Sequence, residues 1–137
     1  MQKSIISGVL LVAALMTPGA AAAQEEPLIG EIKAVGFNFC PRGWAKADGQ
    51  LLAIRENTAL FSLLGTMYGG DGRTTFALPD LRGRTIIGAG TGPGLSDARI
   101  GQKQGGMSAI EGEDVPSLPS LAVTYCIALE GRFPRRP

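Results

Sequence analysis

Between Leu64 and Arg84 the chain reads LGTMYGGDGRTTFALPDLRGR, and no other stretch restricts the fold as much. It clusters Gly69, Gly70 and Gly72, interleaves Asp71, Arg73, Asp80, Arg82 and Arg84, and places Pro79 inside the apolar group of Leu78 and Leu81. Glycines at this density admit positive φ, so the segment specifies a shape more than a reaction. It contains no His, no Cys and no nucleophile paired with a base. The expectation is the ordered, loop-rich centre of a small secreted structural domain, held by pairing between its aspartates and arginines.

The first residues do not belong to that domain. Met1 to Lys3 brings one positive charge, and Ile5 to Met16 is apolar apart from Ser7 and Gly8. Thr17-Pro18-Gly19 breaks any helix, and Ala20 to Ala23 puts small residues at the −3 and −1 positions. This is the pattern of a secretory signal peptide over residues 1–23, cleaved between Ala23 and Gln24. The other reading, a membrane anchor, needs about 20 apolar residues, and Pro18-Gly19 ends the run before that. The mature chain, 24–137, is then one domain in the periplasm, at the cell surface or secreted.

The 13 basic and 12 acidic residues become equal in number once Lys3 is removed. No global positive field remains to hold nucleic acid, and no membrane insertion is expected after cleavage. Arg132, Arg135 and Arg136 form a small basic tail, read as a solvated end. In an exported chain the two cysteines, Cys40 and Cys126, suggest one disulfide, within a chain or between chains. Closing a loop of about 85 residues would contribute about 4–5 kcal/mol in the chain-entropy model. Two unpaired buried thiols are the alternative. Two cysteines without histidine do not make an ordinary structural zinc site, so no metal and no cofactor are expected.

Along the mature chain, Ile29 to Val35 reads as a strand, with Phe37 and Phe39 continuing its period of two. Pro41-Arg42-Gly43 reads as a turn leading to Trp44, the expected anchor of a small core. Asp48-Gly49 between Trp44–Ala47 and Gln50–Ile54 is a hairpin signal. Asn57 caps a helix of about two turns over Thr58–Leu64, ended by Gly65, with Leu60, Phe61, Leu63 and Leu64 on its apolar face. Thr74–Ala77 is β-prone, and Pro79 makes Leu78–Leu81 an edge or surface turn. Arg84–Gly88 reads as another strand. Gly88–Gly94 is a flexible loop without the register of a phosphate-binding motif. Leu95–Gly106 is polar, and Met107–Pro119 reads as an exposed acidic and Ser/Pro-rich loop. Leu121–Leu129 is apolar on both faces and reads as a central strand that brings Cys126 near Cys40. The fold class is α+β, mostly β, a small single domain of short strands, long Gly-rich loops and one or two short helices.

Taken together, several of these pieces resemble the phage tail collar domain family of short tail fibres and the bacterial microcystin-dependent proteins. They are Pro41-Arg42-Gly43-Trp44, Asp48-Gly49-Gln50, Tyr68-Gly69-Gly70-Asp71-Gly72, Phe76, and Pro79-Asp80-Leu81-Arg82-Gly83-Arg84, in that order and spacing. The match is closest over residues 29–88, and the ending after the 121–129 strand is also similar. The resemblance implies that Pro41, Gly43, Trp44, Asp48, Gly49, Tyr68, Gly69, Gly70, Asp71, Gly72, Phe76, Pro79, Asp80, Arg82 and Arg84 are structural residues of that fold. Members often carry a longer segment with a His-x-His pair before the last strand. This chain has no histidine, so the metal associated with that pair in trimeric fibres is not expected here.

The resemblance, the export signal and the absence of catalytic groups point to a non-enzymatic assembly protein. It is expected to be a homo-oligomer or polymer in a fibre, filament or surface layer, with a cell-surface receptor or glycan as a possible partner. A secreted hydrolase would need Asp71 and Asp80 as acid and base, yet Arg73, Arg82 and Arg84 would keep both ionised. A glycan- or small-molecule-binding module would use Trp44, Tyr68 and Phe76, of which at least two are expected in the core.

Overall fold

The structure, a computed structural model, describes residues 25–104 and 120–137. The signal peptide, the cleavage point and the Met107–Pro119 loop lie outside the described residues. The last strand sits at the centre of a three-stranded antiparallel sheet of order β1-β5-β2. Its strands are β1 (Ile32–Val35), β2 (Trp44–Lys46) and β5 (Thr124–Ala128). A central strand has neighbours on both edges and material on both faces, which is why TYCIA is apolar on both sides. In register, Ile32 and Ala45 lie opposite Ile127, while Lys33 and Lys46 lie opposite Cys126. Opposed residues share a face, so Ile127 points with Ala45 toward the core and Cys126 points away from it.

Both outer strands are shorter than their sequence signals. β5 begins only at Thr124, leaving Leu121 and Val123 exposed. β1 starts at Ile32 because Leu28 and Ile29 pair with the chain end instead: Ile29 donates its N–H to the Arg132 carbonyl at 2.9 Å. Phe37 and Phe39 do not extend β1. They lie in the bend after it, their rings 4.6 Å apart.

The expected hairpin at Asp48-Gly49 does not form. β2 pairs with β5, whereas β3 (Leu51–Ala53) pairs antiparallel with β4 (Thr75–Ala77) in a separate two-stranded sheet. Asp48-Gly49 therefore joins two sheets, with Gly49 at φ 78°. The Asp-Gly signal is a local preference, and β5 and β4 offer each flank a better-packed partner. Gly49 donates to the Pro79 carbonyl at 3.2 Å and Leu78 donates to Gln50 at 3.0 Å, which continues the contact past β4.

After β3 comes a 3₁₀ turn, Ile54–Glu56, where an extended run was expected. Helix α1 then spans Thr58–Leu64 and ends at Gly65, whose N–H reaches the Phe61 carbonyl at 2.7 Å. Asn57 stands at the N-cap but its side chain donates backward, to the Ala53 carbonyl at 3.1 Å, and so braces the 3₁₀ turn. Leu60 from α1, Phe76 from β4, Leu78 and Ile127 from β5 are fully buried and form the core. Each contributes roughly 1.5–3 kcal/mol by leaving water. Phe61 and Leu64 pack on this cluster, with the Phe61 and Phe76 rings 5.4 Å apart.

Three more expectations are corrected here. Trp44 is not the core anchor: it is half-buried on the Cys126 face, with the Lys33 ammonium 4.1 Å from its ring centroid. Leu78 and Pro79 are buried rather than at a surface turn, because their backbone carries the bonds to Gln50 and Gly49 just described. Arg84–Gly88 is not a strand. Among the described residues Thr85 to Ala89 have no backbone partner, and Ile86 and Ile87 are exposed. The result is a mostly-β α+β domain. Among the described residues no helix is long and apolar enough to cross a membrane.

Candidate functional site

The glycine-rich stretch is tied down by one carboxylate. Asp71 Oδ1 accepts the backbone N–H groups of Arg73, Thr74 and Thr75 at 2.8, 2.9 and 2.8 Å, and Oδ2 accepts the Thr74 hydroxyl at 2.7 Å. These bonds, led by that from Thr75, hold the Asp71 carboxyl well below the usual carboxylate range. Asp71 thus pairs with backbone and a hydroxyl, not with the arginine side chains expected of it. The glycines let the loop lie against β4: Ala77 donates to the Gly69 carbonyl at 3.0 Å, and Gly72 donates to Thr75 at 2.9 Å. Gly70, at φ 91°, has no room for a side chain, since a Cβ there would meet the Phe76 backbone and the Thr75 carbonyl.

The second half of the stretch is an ion-pair fork, as expected. Arg82 donates Nε to Asp80 Oδ1 at 2.8 Å and Nη2 to Oδ2 at 2.9 Å, a bidentate geometry. The Arg82 hydrogen bond is the main reason that the Asp80 carboxyl lies well below the usual range, and the same contact raises Arg82. Asp48 faces this fork across an isolated antiparallel bridge to Asp80. Its Oδ1 is buried without a hydrogen-bond partner among the described residues.

Beyond the fork the chain leaves the core through Thr85–Ala89 and returns through Ala98–Gln104. The return is pinned by the Gly90–Ala98 bridge and by the Thr91 hydroxyl donating to Asp97 at 2.8 Å. Between the two passes lies a cleft of about 770 Å³, walled by Ile86, Ile87 and Ile100 and edged by Arg84, Arg99 and Lys103. A smaller recess of about 310 Å³ adjoins it at Asp48, Tyr68, Asp80, Arg82 and Lys103. Sequence reading missed the cleft. Its only signal was three isoleucines set among cations in segments otherwise read as a strand and a polar loop.

The site residues expected from sequence therefore separate into groups. Asp48, Tyr68, Asp80 and Arg82 meet in the recess, and Pro79 and Arg84 line the larger cleft. Gly69, Gly70, Asp71 and Gly72 form the laced loop behind it. Phe76 is core and Trp44 belongs to the other sheet face, so the three aromatics proposed as a binding face are not together. Pro41 and Gly43 make the turn before β2, where Trp44 donates to the Pro41 carbonyl at 3.0 Å. Cys40 and Cys126 are disulfide-bonded within the chain, with Cα atoms 5.7 Å apart, which pins the Phe37–Phe39 bend over β5. Asp71 and Asp80, the acid–base pair a hydrolase would need, are both committed to hydrogen bonds that keep them ionised at neutral pH. Among the described residues no group of three His, Cys, Asp or Glu side chains is placed to hold a metal ion.

A rigid, disulfide-locked, mostly-β scaffold presenting a cleft defines a structural and binding domain. Residues 30–86 match the model of the Phage Tail Collar Domain, so this chain carries a tail collar domain. The matched span holds β1 to β4, the Asp71 loop and the Asp80–Arg82 fork, and it ends at Ile86 in the cleft wall. The opposite wall, Ala98–Gln104, and the central strand β5 lie outside it. No curated protein matches the chain. The collar domain points to a phage tail- or tail-fibre-like structural role.

Proposed function

We propose that this protein is an exported, non-catalytic structural subunit that self-associates into a fibre, filament or surface assembly and mediates adhesion. The observation that carries the reading is the collar match over residues 30–86. Export is supported by the pattern of residues 1–23 and by the Cys40–Cys126 disulfide, which suits an oxidising compartment. Self-association is supported by the exposed Ile86, Ile87 and Ile100 beside an extended backbone without a partner among the described residues. Such edges and apolar patches are where strands and subunits add. The balanced charge of the mature chain argues for protein or glycan partners over nucleic acid. A second reading, an exported glycan- or small-molecule-binding module, is favoured by the cleft. Intact mass of the exported protein tests the first step: a chain beginning at Gln24 is expected, and an uncleaved cytoplasmic chain contradicts export. Electron micrographs of that material test the second: fibres, rings or layers are expected, and isolated single particles contradict assembly.

A further inference from the structure

We infer that the cleft between Thr85–Ala89 and Ala98–Gln104, with its recess at Asp48, is a binding site for an acidic saccharide. The recess and the cleft form one continuous surface, sharing Tyr68, Asp80, Arg82 and Lys103. Its polar groups make two opposite demands. Asp48 Oδ1 is a buried acceptor with no donor among the described residues, and a buried acceptor is costly to leave unmade. Arg82 does not relieve it, because Nε and Nη2 of that guanidinium are given to Asp80. Lys103 and Arg84 line the same surface and form no ion pair among the described residues.

A neutral polyol would answer only Asp48, and a simple anion would answer only Lys103 and Arg84. A sugar ring bearing both hydroxyl donors and a carboxylate or phosphate answers both. The isoleucines and the Tyr68 ring give its C–H faces an apolar wall, and about 770 Å³ is within the range of small-ligand sites. The polar end is preorganised: the Asp80–Arg82 fork and the Asp48–Asp80 bridge fix it to the core strands. Asp48 and Tyr68 were singled out in the sequence only as fold residues. Here they carry specificity.

The inference gives the adhesive part of the proposed function its ligand class and rests on that reading for its setting. Its test does not depend on assembly. Binding of the disulfide-bonded mature chain is measured by calorimetry against an oligogalacturonate, a sugar phosphate, a neutral oligosaccharide of matched length and inorganic phosphate. Saturable binding of the oligogalacturonate or the sugar phosphate is expected, and the stronger of the two identifies the anionic group. Inorganic phosphate and the neutral sugar should bind about tenfold or more weakly, the scale of one charge-assisted hydrogen bond. Asp48→Asn and Lys103→Gln should each weaken the acidic sugar by a similar factor, and Arg84→Gln, at an exposed position, provides a variant that cannot unfold the core. Equal affinity for the neutral sugar, equal affinity for inorganic phosphate, full affinity in Asp48→Asn, or no saturable binding at millimolar ligand would overturn the site. A monomer that binds would keep the site and sink the assembly; an assembly that does not bind would do the reverse.

Discussion

The Asp71 carboxylate accepts the backbone N–H of Thr75 at 2.8 Å and so fastens the glycine loop to the first residue of β4. One short side chain thereby fixes where Phe76, two residues from the loop, enters the core. The contact is electrostatic, so it is open to pH.

Asp71 is depressed below its ordinary value of 3.8 in the folded state. Its stabilisation is therefore fully present above that value and is lost only as pH falls through the lower folded value. Asp80 adds a contribution of the same sign through Arg82. Thermal melts should show a lower midpoint for Asp71→Asn than for wild type at pH 7. The gap should narrow as pH drops below about 4, the ordinary carboxylate range. A gap that stays constant down to pH 2 would mean that the substitution acts through shape and not through charge.

The disulfide closes most of the mature chain into a loop, with Cys126 fully buried at the sheet centre. Reduction, or Cys40→Ser, should cost about 2–5 kcal/mol in urea denaturation. Cys40 is the better position to change because it lies in a bend and leaves the β5 register alone. Equal midpoints with and without reductant would show that the sheet alone holds β5.

Gly70 and Gly88 separate steric from compositional roles. Gly70→Ala forces a side chain into φ 91° and against the Phe76 backbone. The φ alone costs about 1–2 kcal/mol, and the collision adds to it. Gly88→Ala meets open space and should stay within about 0.5 kcal/mol. Circular dichroism melts of the two variants would show the contrast, and equal effects would refute it.

The two large aromatics should rank opposite to their size. Phe76→Ala removes a fully buried ring and should cost about 3–5 kcal/mol. Trp44→Leu removes a half-buried ring and its Lys33 contact and should cost less than about 2 kcal/mol. Iodide quenching of Trp44 fluorescence should be substantial in the native state. A fully shielded Trp44 would place it in a core that the packing assigns to Leu60, Phe76, Leu78 and Ile127.

Features that depend on a single segment were legible in the sequence. Helix α1 carries its own stop in Gly65, and the two apolar faces of TYCIA can only be a central strand. The Asp80–Arg82 fork is two residues apart and forms locally. Pairings between distant segments were not legible. The Asp48-Gly49 turn looked like a hairpin because its local chemistry is that of one, yet β2 and β3 each found a partner from elsewhere in the chain. Pro79 looked superficial because proline lacks a donor, but its carbonyl and its neighbour's N–H are both used. The cleft was invisible because its walls are loops whose meeting is set by turns at Gly90 and Gly101, with no periodicity to reveal it.

The central claim is that the exported chain is an assembling subunit, and its mass in solution tests this most directly. Light scattering coupled to size exclusion, on the disulfide-bonded chain beginning at Gln24, should give a mass that rises with concentration to a multiple of the protomer. Ile86→Asp with Ile87→Asp should return it to a monomer without changing its melting temperature. A strict protomer mass at every concentration, with the wild-type sequence, would contradict the account.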